Sequence, residues 1–215
     1  MSLSVVSLTV GPFQENCYLL IDSDTARCAI IDPGDEPERI IAAIERAGAV
    51  PAAIWLTHAH LDHIGAIEGL RRRWDIPVSL HPLDQPLYDM ASRQAALYGL
   101  PFEQPAPADH ALGDGDVMQM GEHRFTVMHA PGHAPGHVVF HGNGIALVGD
   151  CLFAGSIGRT DLPLSNPRDL AASLDRIITL PDDTVVYPGH GPVTSIGVEA
   201  ATNPFLTGAA RIVGA

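Results

Sequence analysis

Thr57-His58-Ala59-His60-Leu61-Asp62-His63 places three imidazoles and a carboxylate between positions 58 and 63. The apolar run Ala52-Ala53-Ile54-Trp55-Leu56 leads into it and reads as a strand buried on both faces, so the histidines fall on a loop at a strand end. Histidines at that density are hard to account for as packing and suit a metal site. His58 and His60 are two apart in extended or loop backbone, which aims both rings to one side and lets them share a metal. Asp62 and His63 lie near the start of the next helix and point to an adjacent position. A catalytic zinc takes about three nitrogen or carboxylate ligands and keeps one position open. Four ligands in one loop therefore call for two metals and for further ligands elsewhere.

The rest of the chain supplies them, each after a strand-like run. His133 follows Arg124-Phe125-Thr126-Val127-Met128, Asp150 follows Ile145-Ala146-Leu147-Val148, and His190 follows Val185-Val186-Tyr187. Strand ends collect at one edge of a layered fold, where sites sit. Pro-Gly before His133 and His190 fixes a tight turn that presents the ring. A lone histidine is more often a hydrogen-bonded or surface residue, and His81, His110, His123 and His141 stay in that class. His129 lies in a strand and reads as ambiguous. His137 repeats the Pro-Gly-His turn but begins a strand, which favours support of a ligand over ligation. Cys151 reads as a buried structural thiol, since nothing nearby offers a base for it.

The remaining pattern frames these residues. The 215-residue length fits one domain, 1–215, and 46% hydrophobic residues fill a large core. Residues 16–21 and 28–31 read as a hairpin, 36–47 as a helix closed by Gly48, and Ile64–Trp74 as a helix ending in Arg71-Arg72-Arg73. Residues 82–112 carry Tyr88, Met90 and Tyr98 and read as helix plus loop, a lid over a site. A last helix opens at Asn166-Pro167. Strands and helices interleave in both halves, which predicts two packed sheets with helices outside. A net charge of -13 argues against a nucleic-acid partner. With no long apolar span and three unpatterned cysteines, the expectation is a soluble, cytoplasmic protein with no membrane partner.

His58-x-His60-x-Asp62-His63, the Ala130-Pro131-Gly132-His133 segment, Gly149-Asp150 and Pro188-Gly189-His190-Gly191 together resemble the signature of the metallo-β-lactamase fold, over nearly the whole chain. The resemblance implies an α+β fold, a four-layer αββα sandwich with a dinuclear site at one edge. Metal one would take His58, His60 and His133; metal two Asp62, His63 and His190; Asp150 would bridge. The ions expected are two divalent metals, zinc first, with iron or manganese as alternatives. Gly158-Arg159-Thr160-Asp161 looks like a run shared by glyoxalase II-like hydrolases and persulfide dioxygenases, which implies Gly158, Arg159 and Thr160 as substrate-binding residues; an Arg159–Asp161 ion pair is the plain alternative. The implied activity is hydrolysis of a small-molecule acyl thioester by water activated between the metals, with Asp62 also orienting that water or carrying a proton. Rival readings are a persulfide dioxygenase with one iron on His58, His133 and Asp150, and a lactonase or β-lactamase-type hydrolase. Glyoxalase II proper carries a further helical domain for glutathione, whereas 25 residues follow His190 here.

Overall fold

Eight consecutive buried residues in one strand require cover on both faces, and Glu15–Asp22 is such a strand. In the computed structural model, which describes residues 2–214, that strand is β2. It lies between β1 (Leu3–Val10) and β3 (Arg27–Ile31), antiparallel to both. Helix α1 (Pro37–Arg46), strand β4 (Val50–Trp55), helices α2 (Leu61–Ile64) and α3 (Ile67–Arg73), strand β5 (Val78–Leu80), helix α4 (Gln85–Leu97) and strand β6 (His110–Ala111) complete the first half. The first sheet runs β1 to β6 in sequence order, and β3 to β6 are parallel.

The second half supplies β7 (Val117–Met120), β8 (His123–His129), β9 (Val138–Gly142), β10 (Ile145–Gly149), the small hairpin β11 (Leu152–Phe153) and β12 (Ser156–Ile157), α5 (Pro167–Ile177), β13 (Val185–Pro188), β14 (Thr194–Ser195) and α6 (Ile196–Thr202). Its sheet has the order β14-β13-β10-β9-β8-β7.

Alternation along the strands sorts the core into layers. Tyr18, Leu20 and Trp55 of the first sheet meet Phe125, Val127 and Phe140 of the second. The Trp55 ring lies 5.9 Å from Phe125 and 5.6 Å from Phe140, contacts worth about 0.5–1.5 kcal/mol each beyond area burial. Cys17, Leu19 and Ile21, on the other face of β2, pack under Ile40, Ile44, Leu70 and Leu87 of the helices. Val139, Ala146 and Val186 pack under Leu170, Leu174 and Ile177 of α5. The order helix, sheet, sheet, helix is the expected αββα sandwich.

Two expectations need correction. Ile64–Trp74 is not one helix: it breaks at Gly65-Ala66 into α2 and α3. The Asp32-Pro33-Gly34 turn presses on the break, where the Ala66 amide donates to Pro33 and a Cβ on Gly65 would stand 2.4 Å from the Gly34 oxygen. The 52–56 strand is instead Val50–Trp55, and its burial is complete only from Ile54 onward, because its first residues pair with β3 at the exposed end of the sheet, where Val50 faces solvent. Residues 82–112 form the expected helix plus loop, with α4 as the long helix; Tyr88 and Met90 pack in or against the core, while Tyr98, just after α4, borders a cavity over the strand ends.

Candidate metal centre

β3, β4, β8, β10 and β13 all point their C-terminal ends to one edge, and antiparallel β2 starts there. Each brings a polar residue: Asp32 after β3, His58 to His63 after β4, His133 after β8, Asp150 after β10, His190 after β13 and Glu15 at the start of β2. The turns are held across the sandwich. The Val138 amide donates to the Thr57 carbonyl at 2.8 Å, and Tyr18 Oη donates to the Pro188 carbonyl at 2.7 Å.

All seven sequence-predicted ligands meet. His58, His60 and His133 offer ring nitrogens within 4.8 Å of one another, and Asp62, His63 and His190 form a second such set. Asp150 stands between them: Oδ1 lies 3.5 Å from His63 Nε2, and Oδ2 lies 3.5 Å from both His133 Nε2 and His190 Nε2. His58 Nε2, His63 Nε2 and Asp150 Oδ1 are buried without a hydrogen-bond partner. Leaving such groups unpaired costs about 1–3 kcal/mol each, more for a charge. Cations seated among them would satisfy all three. The donors are imidazoles and carboxylates, a set that takes zinc, iron or manganese. The thiol that follows Asp150 in the chain is not aimed at them: Cys151 Sγ faces the Ala130 carbonyl and His137 Nδ1, and burial pushes its pKa well up.

Protonation states divide between the sets. Burial lowers His58, His60 and His133, with His60 pushed down to about 3, so these rings are neutral at neutral pH, and His60 Nδ1 meets His133 Nε2 at 2.9 Å. Burial alone would lower His63 too, but Asp150 and Asp32 raise it above the usual imidazole range. His190 is raised likewise, against its burial, by the hydrogen bond to Asp62 and the charge of Asp150. The Asp150 carboxyl, which burial would raise, is held far below the carboxylate range by His63, His133 and His190.

A supporting shell, which sequence reading missed, fixes the rings. Asp32 accepts from the Thr57 amide at 2.7 Å and hydroxyl at 2.6 Å, and meets His63 Nδ1 at 3.1 Å. That contact turns His63 Nε2 toward Asp150. Asp84, its carboxyl raised to about 6 by burial, accepts from the Ala59 and Gly136 amides and so ties the two histidine loops together. Glu15 is buried 3.9 Å from His63 Nδ1, and burial raises it well above its usual value. Asp32 did carry a signal, an Asp-Pro-Gly turn directly after an apolar strand. Asp84 and Glu15 carried none.

Two ambiguous histidines resolve. His137 is fully buried, stacks on His58 with ring centroids 4.8 Å apart, and accepts from the Asp150 amide at 3.0 Å, so it supports two candidate ligands. His129 lies apart from the ligands, stacked on His81 and bonded to the Pro135 carbonyl. Of the run implied by resemblance, Arg159 borders the cavity over the ligands and pairs with Asp161. Its carbonyl also contacts His133 Nδ1 at 2.9 Å. Gly158 is buried against the Asp150 backbone, and Thr160 does not border that cavity.

Residues 10–190 match the model of the metallo-beta-lactamase superfamily. The chain is 37% identical over 211 residues to the hydroxyacylglutathione hydrolase GloC of Haemophilus influenzae, spanning 96% of this chain and 98% of that protein. It resembles the crystal structure of the BLEG-1 B3 metallo-beta-lactamase with a TM-score of 0.89 at 41% identity, covering 95% of this chain and 100% of the other. The di-iron-bound form of TTHA1623 gives a TM-score of 0.87 at 47% identity, covering 94% and 100%. Layer order, strand-end ligands and these likenesses agree: the chain belongs to the metallo-beta-lactamase superfamily.

Proposed function

We propose that this protein hydrolyses a small-molecule acyl thioester at two divalent metal ions, zinc being the ion expected first and iron or manganese the alternatives. Membership of the superfamily carries the coarser class, a metal-dependent hydrolase. The observation that supports the rest is the pair of three-residue donor sets with Asp150 between them, opening on a cavity of about 470 Å3. His58, His60 and His133 would hold one ion, Asp62, His63 and His190 the other, and Asp150 would reach both. Two ions so held would supply, when bound, a water of lowered pKa and polarisation of the acyl carbonyl.

The chain's own groups do the rest. Neutral His58, His60 and His133 present lone pairs without first shedding a proton. Burial would raise the Asp62 carboxyl, but His190 and His63 hold it below the usual range. It is therefore ionised at neutral pH and borders the cavity, where it would orient a water and take its proton. A thiolate leaves readily, so no dedicated general acid is required of the wall. The name of the GloC relative supports a thioester. A single-iron persulfide dioxygenase would need only His58, His133 and Asp150, and would leave Asp62, His63 and His190 without work. The net charge of -13 speaks against a nucleic-acid substrate. Among the described residues no helix is long and apolar enough to cross a membrane, and the three unpaired cysteines accord with a cytoplasmic place.

The test is turnover of thioester, lactone, β-lactam and persulfide substrates by zinc-loaded protein. His60→Ala and Asp150→Ala are expected to abolish thioester hydrolysis while the folded circular-dichroism spectrum persists. Undiminished turnover in either variant, or a wild type that hydrolyses the lactone or β-lactam and leaves thioesters intact, contradicts the proposal.

A further inference from the structure

The walls of the cavity say what kind of thioester fits it. Five candidate ligands, His60, Asp62, His133, Asp150 and His190, form its floor, but its sides are Phe13, Leu97, Tyr98, Phe153, Ile157 and Leu162. Leu97 is 87% exposed, Tyr98 61% and Phe13 37%, and the Phe13 and Tyr98 rings meet edge to face at 5.6 Å. Large apolar side chains gathered in the open around a concave site mark a surface that a ligand covers.

Charge points the same way. The chain has no lysine: all 12 of its basic residues are arginines. Among the described residues bordering the cavity, Arg159 is the only arginine. Its guanidinium is already engaged, with Nε 2.7 Å and Nη2 2.8 Å from the two Asp161 oxygens. Apart from the ions held on the floor, a carboxylate on the substrate's arms would find no unpaired arginine on these walls, in a protein whose net charge is -13 before metal is bound.

We propose that the cavity selects acyl thioesters whose acyl and thiol arms are uncharged and apolar, and discriminates against arms bearing carboxylates, glutathione among them. The proposal rests on the thioester reading above. Each methylene laid against these walls is expected to tighten binding about fourfold, and a carboxylate without a partner to weaken it.

Thioethers separate the specificity from the chemistry, because hydrolysis cannot consume them. Calorimetric titration of the zinc-loaded protein compares S-hexyl-N-acetylcysteamine with S-hexylglutathione, which share the hexyl arm and differ in the thiol arm, short and uncharged in the first, a tripeptide with two carboxylates in the second. The uncharged thioether is expected to bind about tenfold tighter, to weaken progressively from hexyl to methyl, and to weaken severalfold on Leu97→Glu. Position 97 is open to solvent, so that variant keeps the fold. Equal or tighter binding of the glutathione thioether overturns the proposal, as does indifference to alkyl length. S-hexanoyl-N-acetylcysteamine that goes unhydrolysed by protein that binds the uncharged thioether tightly overturns the hydrolysis reading alone.

Discussion

Asp32 shows how a residue remote from the reacting atoms sets the site. Its two oxygens hold the Thr57 backbone and hydroxyl and orient His63, so the ring presents Nε2 to Asp150. Asparagine keeps the shape but cannot accept from all three donors. Asp32→Asn is therefore expected to weaken metal at the Asp62–His63–His190 set by about 10- to 100-fold in a chelator-competition titration; unchanged affinity would contradict that role. Protonation gives a second prediction. His63 and His190 have raised pKa values in the metal-free protein and so carry protons near neutrality, whereas His58 and His60 do not. A ligating imidazole must be neutral, so metal uptake releases protons from His63 and His190. Release should be large near pH 6.5, the ordinary imidazole value, and fall as pH rises past the raised values, toward the contribution of the metal-bound water alone. Calorimetry in buffers of different ionisation enthalpy measures it, and no net release at neutral pH would sink the assignment. At this scale the seven candidate ligands were legible because each follows an apolar run. Asp84 and Glu15 were not, because their work depends on partners 25 and 48 residues away in the chain.

Elements deliver these residues, and close backbone approaches keep them in register. Gly158 packs against the turn after β10, and a Cβ there would stand 1.8 Å from the Asp150 carbonyl oxygen. The obstacle is backbone and cannot swing aside. Gly158→Ala is expected to displace Asp150, abolish turnover, and lower the melting temperature by roughly 5 °C or more, the effect of overpacking a buried contact. Wild-type melting and activity in that variant would refute it. The resemblance implied a substrate contact for Gly158, and the structure shows what else the position must do. Strand periodicity was readable because each strand faces a core on one or both sides. The break between α2 and α3 was not, since its cause is the Asp32-Pro33-Gly34 turn pressing from a distant strand end.

The whole molecule is two half-sandwiches that share one edge. The first supplies His58, His60, Asp62 and His63, and the second His133, Asp150 and His190. Each candidate ion therefore takes ligands from both sheets. The layer order was legible from interleaved strands and helices and from the resemblance. The cavity's apolar wall was not, because Phe13, Tyr98, Phe153 and Leu162 come from four separated segments that only the fold assembles. The account turns on two ions, one per donor set. Elemental analysis of protein purified without chelators tests this directly. The account predicts about two divalent metal ions per chain, falling to about one in Asp62→Ala while the His58–His60–His133 set stays filled. One ion per chain in the wild type, unaffected by that substitution, would contradict it.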